Sequence, residues 1–347
     1  AGAGSVETLR QVVRANQSPS GSNPVLLVDP FFADQPLPFL NSEDFHVITV
    51  ATDFEPTTDY VDNIVGVVRA SSQGQIPKLL VAVGGGVTMD VAKAVSICLT
   101  NDGPSSSFQG WDKPKRAGVP KVGVPTIAGT GAESSRTAVL TNSASGLKLG
   151  INSNFTPFDA VILDPEFLTS VPEALFFQNA MDAYLHAEEI LCGSYRNKFS
   201  DTFASLAKSN LVEIFDGDEQ RNEENHQLLM TASYLAGIAL TSSYVGLVHP
   251  LSAAIGVEYG IPHSLANLIA LRGLKDYYKS AYDQIFEWAS ILGIEIPYLA
   301  DRWDSSPNAE KLFIEMSKHH LPISNALGQN WESRLGIEEF KRILENM

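Results

Sequence analysis

The chain changes character once, near Asp164-Pro165, and that change limits what it can fold into more than any single residue does. Before it, short β-rich runs alternate with helical patterns. Val25-Leu-Leu-Val28, Phe45-His-Val-Ile-Thr-Val50, Lys78-Leu-Leu-Val-Ala-Val83, Val122 to Pro125 and Val161 to Leu163 read as strands. Val61, Ile64, Val65 and Val68 recur at helical spacing within a stretch from Thr58 to about Ser71, and Val87 to Leu99 reads as a second helix. Alternation of this kind predicts a mainly parallel sheet covered on both faces. After Pro165 the patterns are helical, over Glu173 to Leu191, Ser200 to Phe215, Glu224 to Ser243 and Ala281 to Leu292, with no convincing strand among them. Pro165 and Pro172 punctuate the boundary. The expected organisation is an α/β domain over residues 1–165 and an all-helical domain over 166–347, and 347 residues suffice for two cores.

Composition narrows the function. A formal net charge of −16 opposes binding to nucleic acid or an anionic membrane, both of which call for basic patches. No apolar run is long enough to span a bilayer, and the stretch Val91 to Leu99 is short and carries Lys93. The opening Ala1-Gly-Ala-Gly-Ser-Val-Glu7 has no basic region followed by an apolar one, so it is not expected to be a signal peptide; it reads as a start partway into the first domain. The two cysteines, Cys98 and Cys192, lie far apart in settings that read as apolar and buried, which favours a reducing cytoplasm over a disulfide framework. The acidic stretch Asp216 to Glu224 is expected to be an exposed loop, and the assembly a homodimer.

Two sets of residues could carry chemistry. Gly84-Gly-Gly-Val-Thr-Met-Asp-Val-Ala-Lys93 follows a strand and opens a helix, a context that suits a phosphate because glycines admit close backbone approach and a helix N-terminus presents unpaired amides. A glycine triplet alone is more often a plain turn. Asp29 closes the first strand, where a carboxylate accepts from a ribose hydroxyl and repels a 2′-phosphate, favouring NAD over NADP. Pro125-Thr-Ile-Ala-Gly-Thr-Gly-Ala-Glu-Ser-Ser-Arg-Thr137 is a second loop rich in small donors, with an ordinary polar loop as the bland alternative. The second set is Asp182, His186, His249 and His263. The first two are four apart, one turn on one helical face, and the set could form a closed shell for a divalent transition metal such as iron or zinc. Taken singly, each has a structural reading as a capping pair or a core histidine. Arg136 is either one half of an ion pair, with Glu133 or a carboxylate across the domain interface, or a fork for a substrate carboxylate.

Together these segments resemble the iron-containing, or group III, alcohol dehydrogenases. The matches are Gly84 to Lys93, Pro125-Thr-Ile-Ala-Gly-Thr-Gly-Ala-Glu133, Asp164-Pro-Glu-Phe-Leu168, Met181-Asp-Ala-Tyr-Leu-His186 and the His249/His263 pair, in the family's order and over nearly the whole chain. Gln109-Gly-Trp-Asp112, Ser135-Arg-Thr-Ala-Val139 and Lys148-Leu-Gly-Ile-Asn-Ser153 look closer to its 3-deoxy-manno-octulosonate 8-oxidase branch. The resemblance implies the dehydroquinate synthase-like fold: an α/β dinucleotide-binding domain, an all-α metal-binding domain, and an active site in the cleft between them. It implies that Asp29 takes the adenosine ribose and Gly85 and Gly86 the pyrophosphate, with Asp90 beside the same loop. Thr126, Thr130, Ser135 and Thr137 would line the path to the nicotinamide, with Lys148 near a ribose. Asp182, His186, His249 and His263 would hold Fe2+ or Zn2+ and act in catalysis through it. The implied substrate is an alcohol, with a sugar acid as the finer reading. A dehydroquinate synthase-type lyase using NAD transiently and a catalytically silent nucleotide-binding homologue are the alternatives. Three positions depart from the family pattern: Ala253 stands where many members have a further His, Ser264 where a Gly is common, and Val87 where a Ser is frequent.

Overall fold

A computed structural model describes residues 1–16, 23–33, 45–302 and 308–347. The chain forms two compact units, Ala1–Ser170 and Val171–Met347. The first contains a five-stranded parallel sheet in the order β2-β1-β3-β5-β8, from β1 (Val25–Val28), β2 (His46–Thr49), β3 (Leu80–Gly84), β5 (Lys121–Pro125) and β8 (Ala160–Val161). Its helices are α1 (Leu9–Asn16), α2 (Pro30–Ala33), α3 (Thr58–Ser71) and α4 (Gly86–Thr100).

Alternate residues of the central strands enter opposite cores, as the pleat dictates. Val25 and Leu27 of β1 and Leu80 and Ala82 of β3 pack with Val61, Ile64, Val65 and Val68 of α3 and with α4. Leu26, Val28, Val81 and Val83 pack on the other face with Leu9 and Val13 of α1. Burial on both faces explains why these strands read as continuous apolar runs.

The sequence reading missed a second sheet. Gly110–Trp111 (β4), Thr137–Thr141 (β6) and Lys148–Asn152 (β7) form a three-stranded sheet in the order β4-β7-β6, with β6 and β7 antiparallel and β4 parallel to β7. In β6, Ala138 and Leu140 are buried while Thr137, Val139 and Thr141 are half-buried, the alternation of a one-sided strand. This sheet is tied to α4 through a buried ammonium. Lys93, fully buried, donates from Nζ to Ala132 O at 2.7 Å, to Thr137 O and to Ser135 Oγ at 3.3 Å, and lies 3.0 Å from Asp90 Oδ1. Asp90 Oδ2 in turn accepts from the Val139 N–H at 3.1 Å.

In the second unit the described residues are helical, with no strand. α5 (Glu173–Cys192), α6 (Lys198–Asp216) and α7 (Glu223–Leu240) are followed by α8 (Val248–Tyr259), α9 (His263–Gly273), α10 (Lys279–Ile291), α11 (Leu299–Arg302), α12 (Ala309–Ser317), α13 (His320–Leu327) and α14 (Ile337–Glu345). α5 is buried along most of its length and packs against α6, α7 and α9. Asn197 caps α6 with a reciprocal Ser200 box, which stops the α5–α6 loop from fraying into either helix. Cys98 is buried as expected, whereas Cys192, at the end of α5, is exposed because the chain leaves the helix there for Gly193. Among the described residues no helix is long and apolar enough to cross a membrane.

Glu133, in the loop that Lys93 anchors, has its carboxyl pushed up to about 7 by burial, against the opposing pull of a backbone hydrogen bond and of Lys93. The folded chain keeps its proton between the ordinary value of 4.5 and about 7, where the unfolded chain has released it. That contribution to stability is therefore complete below the ordinary value and is lost as pH rises through about 7. Glu133→Gln should consequently gain stability relative to the parent between pH 5 and pH 8, by up to about 3 kcal/mol. Urea unfolding at the two pH values measures this, and an equal offset at both would show that Glu133 ionises normally.

Candidate active site

Asp182 and His186 occupy the buried middle of α5, one turn apart on one face. His249 and His263 sit in the first turns of α8 and α9. Pro250 follows His249, a position a proline tolerates because first-turn N–H groups have no helical partner, and Pro262 precedes His263 at the N-cap.

The quartet converges. Asp182 Oδ1 lies 3.2 Å from His249 Nε2, 3.7 Å from His186 Nε2 and 3.7 Å from His263 Nε2. The His186 and His249 rings stack with centroids 4.3 Å apart and planes 14° apart. Ligand atoms of Asp182, His249 and His263 all fall within 4.8 Å of one another. Two ligands held at about 2.1 Å by one tetrahedral cation are roughly 3.4 Å apart, a spacing these contacts bracket. Asp182 Oδ2 is buried without a hydrogen-bond partner, which costs free energy unless a cation takes its lone pair. Three imidazole nitrogens and one carboxylate suit iron or zinc, so the residues present fit a divalent metal.

The electrostatics agree. Burial alone would raise the Asp182 carboxyl, but the imidazoles of His186, His263 and His249 hold it well below the usual carboxylate range. Burial drives His186 down to about 3, despite Asp182. His249 is the exception: burial opposes its charged form, yet the Glu189 and Asp182 carboxylates push it up to about 9.

Sequence reasoning missed two neighbours of the quartet. Glu189 Oε2 meets His249 Nδ1, and Asn267 Nδ2 donates to Asp182 Oδ1 at 2.7 Å. Both had a signal. Glu189 follows His186 by three and Asn267 follows His263 by four, the spacings that share a helical face.

In the first unit the glycine triplet lies where the sheet order reverses. β1 is flanked by β2 on one side and β3 on the other, so the carboxyl ends of β1 and β3 meet at a topological switch point, the place where open α/β sheets bind ligands. Asp29 ends β1 and accepts from the Phe31 N–H at 2.9 Å through Oδ1. Gly84 ends β3, and Gly85 is the N-cap of α4, with no side chain capping the helix. The triplet is crowded. A Cβ at Gly84 would lie 2.9 Å from Asp29 Cβ, one at Gly85 2.6 Å from Ile127 Cδ1, and one at Gly86 2.8 Å from Thr130 Oγ1. Thr126 joins this group through its N–H, which donates to Gly84 O at 3.0 Å. The remaining expected cofactor residues are engaged within the unit. Asp90 and Ser135 hold Lys93, Thr137 Oγ1 donates to Asn152 Oδ1 at 2.6 Å, and Lys148 pairs with Glu55 at 2.9 Å. Arg136 does form an ion pair, but with Asp112 at 2.7 Å rather than with Glu133, and its guanidinium lies over the Trp111 ring. Glu133 is buried in the loop, whereas the exposed Asp112 follows β4 and Arg136 precedes β6 at the same end of the three-stranded sheet.

Comparison with known proteins places this arrangement. The iron-containing alcohol dehydrogenase profile matches residues 1–165, and the C-terminal profile of the same family matches 176–310. The chain belongs to the iron-containing alcohol dehydrogenase family, a family of oxidoreductase enzymes. It is 33% identical over 264 residues to the NAD-dependent methanol dehydrogenase of Bacillus methanolicus, covering 75% of this chain and 67% of that one. It is 29% identical over 216 residues to the sulfoacetaldehyde reductase of Bilophila wadsworthia, covering 61% of this chain and 54% of the relative. The matched stretch thus spans only about half to two thirds of those proteins' own length. The solved alcohol dehydrogenase of Oenococcus oeni superimposes with a TM-score of 0.83 at 20% identity, over 100% of this chain and 97% of that one, which establishes the fold.

Loss of one ligand in four leaves a poorly held cation. His249→Ala and His263→Ala should each lose most of the bound metal after dialysis, with the signal of the first unit unchanged in circular dichroism. Full occupancy in both variants, measured by metal analysis, would refute the assignment.

Proposed function

We propose that this chain is a metal-dependent, NAD-linked dehydrogenase that interconverts an alcohol with an aldehyde or ketone. One observation carries the reading: three imidazole nitrogens surround one oxygen of a buried aspartate whose other oxygen has no partner. Family membership and the printed activity of the methanol dehydrogenase relative support it.

In this reading Asp182, His186, His249 and His263 hold Fe2+ or Zn2+. When bound, the cation would supply Lewis acidity to an alcohol hydroxyl, and NAD would supply the hydride acceptor. The chain's own part is placement. Ile127 and Thr130 pack on the glycine triplet so closely that only glycine fits there, while the uncapped start of α4 offers amides and the positive end of its dipole, where a pyrophosphate would bind. Asp29 Oδ1 is fixed by the Phe31 N–H, which turns the carboxylate to face a ribose diol at the end of β1. Thr126 and Thr130 lie on the same loop; Ser135, Thr137 and Lys148 act one layer back, shaping it through Lys93, Asn152 and Glu55. Ala253 brings no ionisable group to the position where many members of the family have a histidine, so that side chain relays no proton here.

The decisive assay loads the protein with Fe2+ or Zn2+ and follows NADH with short alcohols and sugar acids. No NADH from a fully loaded enzyme with any of them would sink the reading. NAD should outperform NADP, and Asp29→Ala should narrow that preference, because the carboxylate both accepts from the ribose and repels a phosphate. Equal use of NAD and NADP by the parent would place the ribose elsewhere.

The finer reading takes a carboxylated polyol such as 3-deoxy-manno-octulosonate as substrate, with Arg136 as its anchor. Arg136 must then exchange its partner Asp112, an exposed carboxylate whose pairing is worth at most about 1 kcal/mol. Arg136→Met should raise KM for the carboxylated substrate at least severalfold more than for a neutral alcohol. Equal losses on both would leave Arg136 a structural partner of Asp112 and Trp111.

A further inference from the structure

A carboxylate outside the ligand quartet is committed to one of its members. Glu189 lies three residues beyond His186 and seven beyond Asp182, so α5 carries it on the same face as both ligands. It is 1% exposed and both its oxygens are used. Oε2 meets His249 Nδ1, and Oε1 accepts from the Val248 N–H at 2.6 Å, the first residue of α8.

With Oε2 of Glu189 on Nδ1, the ring presents its other nitrogen, Nε2, to Asp182 Oδ1 at 3.2 Å, the side on which a cation would sit. The loop before α8 is built closely around this contact. A Cβ at Gly246 would lie 2.1 Å from Tyr278 Oη and 3.0 Å from Glu189 Oε1, and Tyr278 Oη accepts from the Leu247 N–H at 3.0 Å. Only glycine passes between the two side chains. A simple helix tie would need Oε1 alone; the second oxygen on Nδ1 has no purpose in capping.

We infer that Glu189 is the positioning residue of the metal centre: one oxygen fixes where α8 begins, the other fixes the tautomer and ring direction of His249. Carboxylates behind metal-bound histidines commonly act this way, orienting the ring and raising its basicity. The inference rests on the metal reading above and adds to it a residue that touches no metal.

Cobalt(II) titration of the full chain, in competition with a chromophoric chelator, tests it. Glu189→Gln keeps the volume and removes the charge; Glu189→Ala removes the contact. Both should lose about 10- to 100-fold in cobalt affinity, and the visible cobalt bands should shift, while far-UV circular dichroism of the metal-free chains matches the parent. Should Glu189→Ala fail to fold, the isosteric Glu189→Gln decides alone. Parent-like affinity and bands in Glu189→Gln, even with a lowered melting temperature, would reduce Glu189 to a helix tie and overturn the inference. His249→Ala losing cobalt while Glu189→Gln keeps it would preserve the metal reading and overturn only this one. A parent chain that takes up no cobalt would overturn both.

Discussion

The second unit is organised by one buried charge. A carboxylate with no solvent exposure, in the middle of a helix buried on most sides, is costly unless cationic or hydrogen-bonding groups are brought to it. Asp182 therefore dictates the course of distant chain. The starts of α8 and α9, more than sixty residues away in sequence, must deliver His249, His263 and Asn267 to one oxygen. α5 supplies His186 itself.

The first unit solves the converse problem, a buried cation. Lys93 finds two carbonyls, a hydroxyl and a carboxylate, and in doing so pins the second glycine-rich loop to α4. Because α4 starts at the glycine triplet, the same helix that carries Lys93 at its middle also fixes the triplet at its N-terminus. The loop and the triplet are thus held by one element, and Ile127 and Thr130 rest on Gly85 and Gly86 so closely that neither position has room for a side chain.

Much of this was legible in the sequence, for identifiable reasons. The central strands β1, β3 and β5 announce themselves because two-sided burial forces uninterrupted apolar runs, and α3 does so through its amphipathic spacing. The four ligand positions could be named from residue type, but their convergence could not, because α8 and α9 are short, apolar all round and begin at histidine and proline, without polar caps. The β6–β7 pair was hidden by composition: Thr137, Thr141, Lys148 and Asn152 look like loop residues, and only the inward Ala138, Leu140 and Ile151 mark the pleat. Glu189 and Asn267 sat at readable spacings, yet helical spacing offers many such pairs and only the fold selects among them.

The quartet and its carboxylate neighbour also carry a charge balance of their own. Asp182 and Glu189 place two carboxylates among three imidazoles and an amide, and against the effect of burial they push the His249 imidazole up to about 9. A divalent ion held there, as proposed above, would take the place of that imidazole's extra proton and balance the two carboxylates, the condition under which a buried ionic cluster is least costly. The acids of α5 would then select a cation by its charge as well as by its ligand preference.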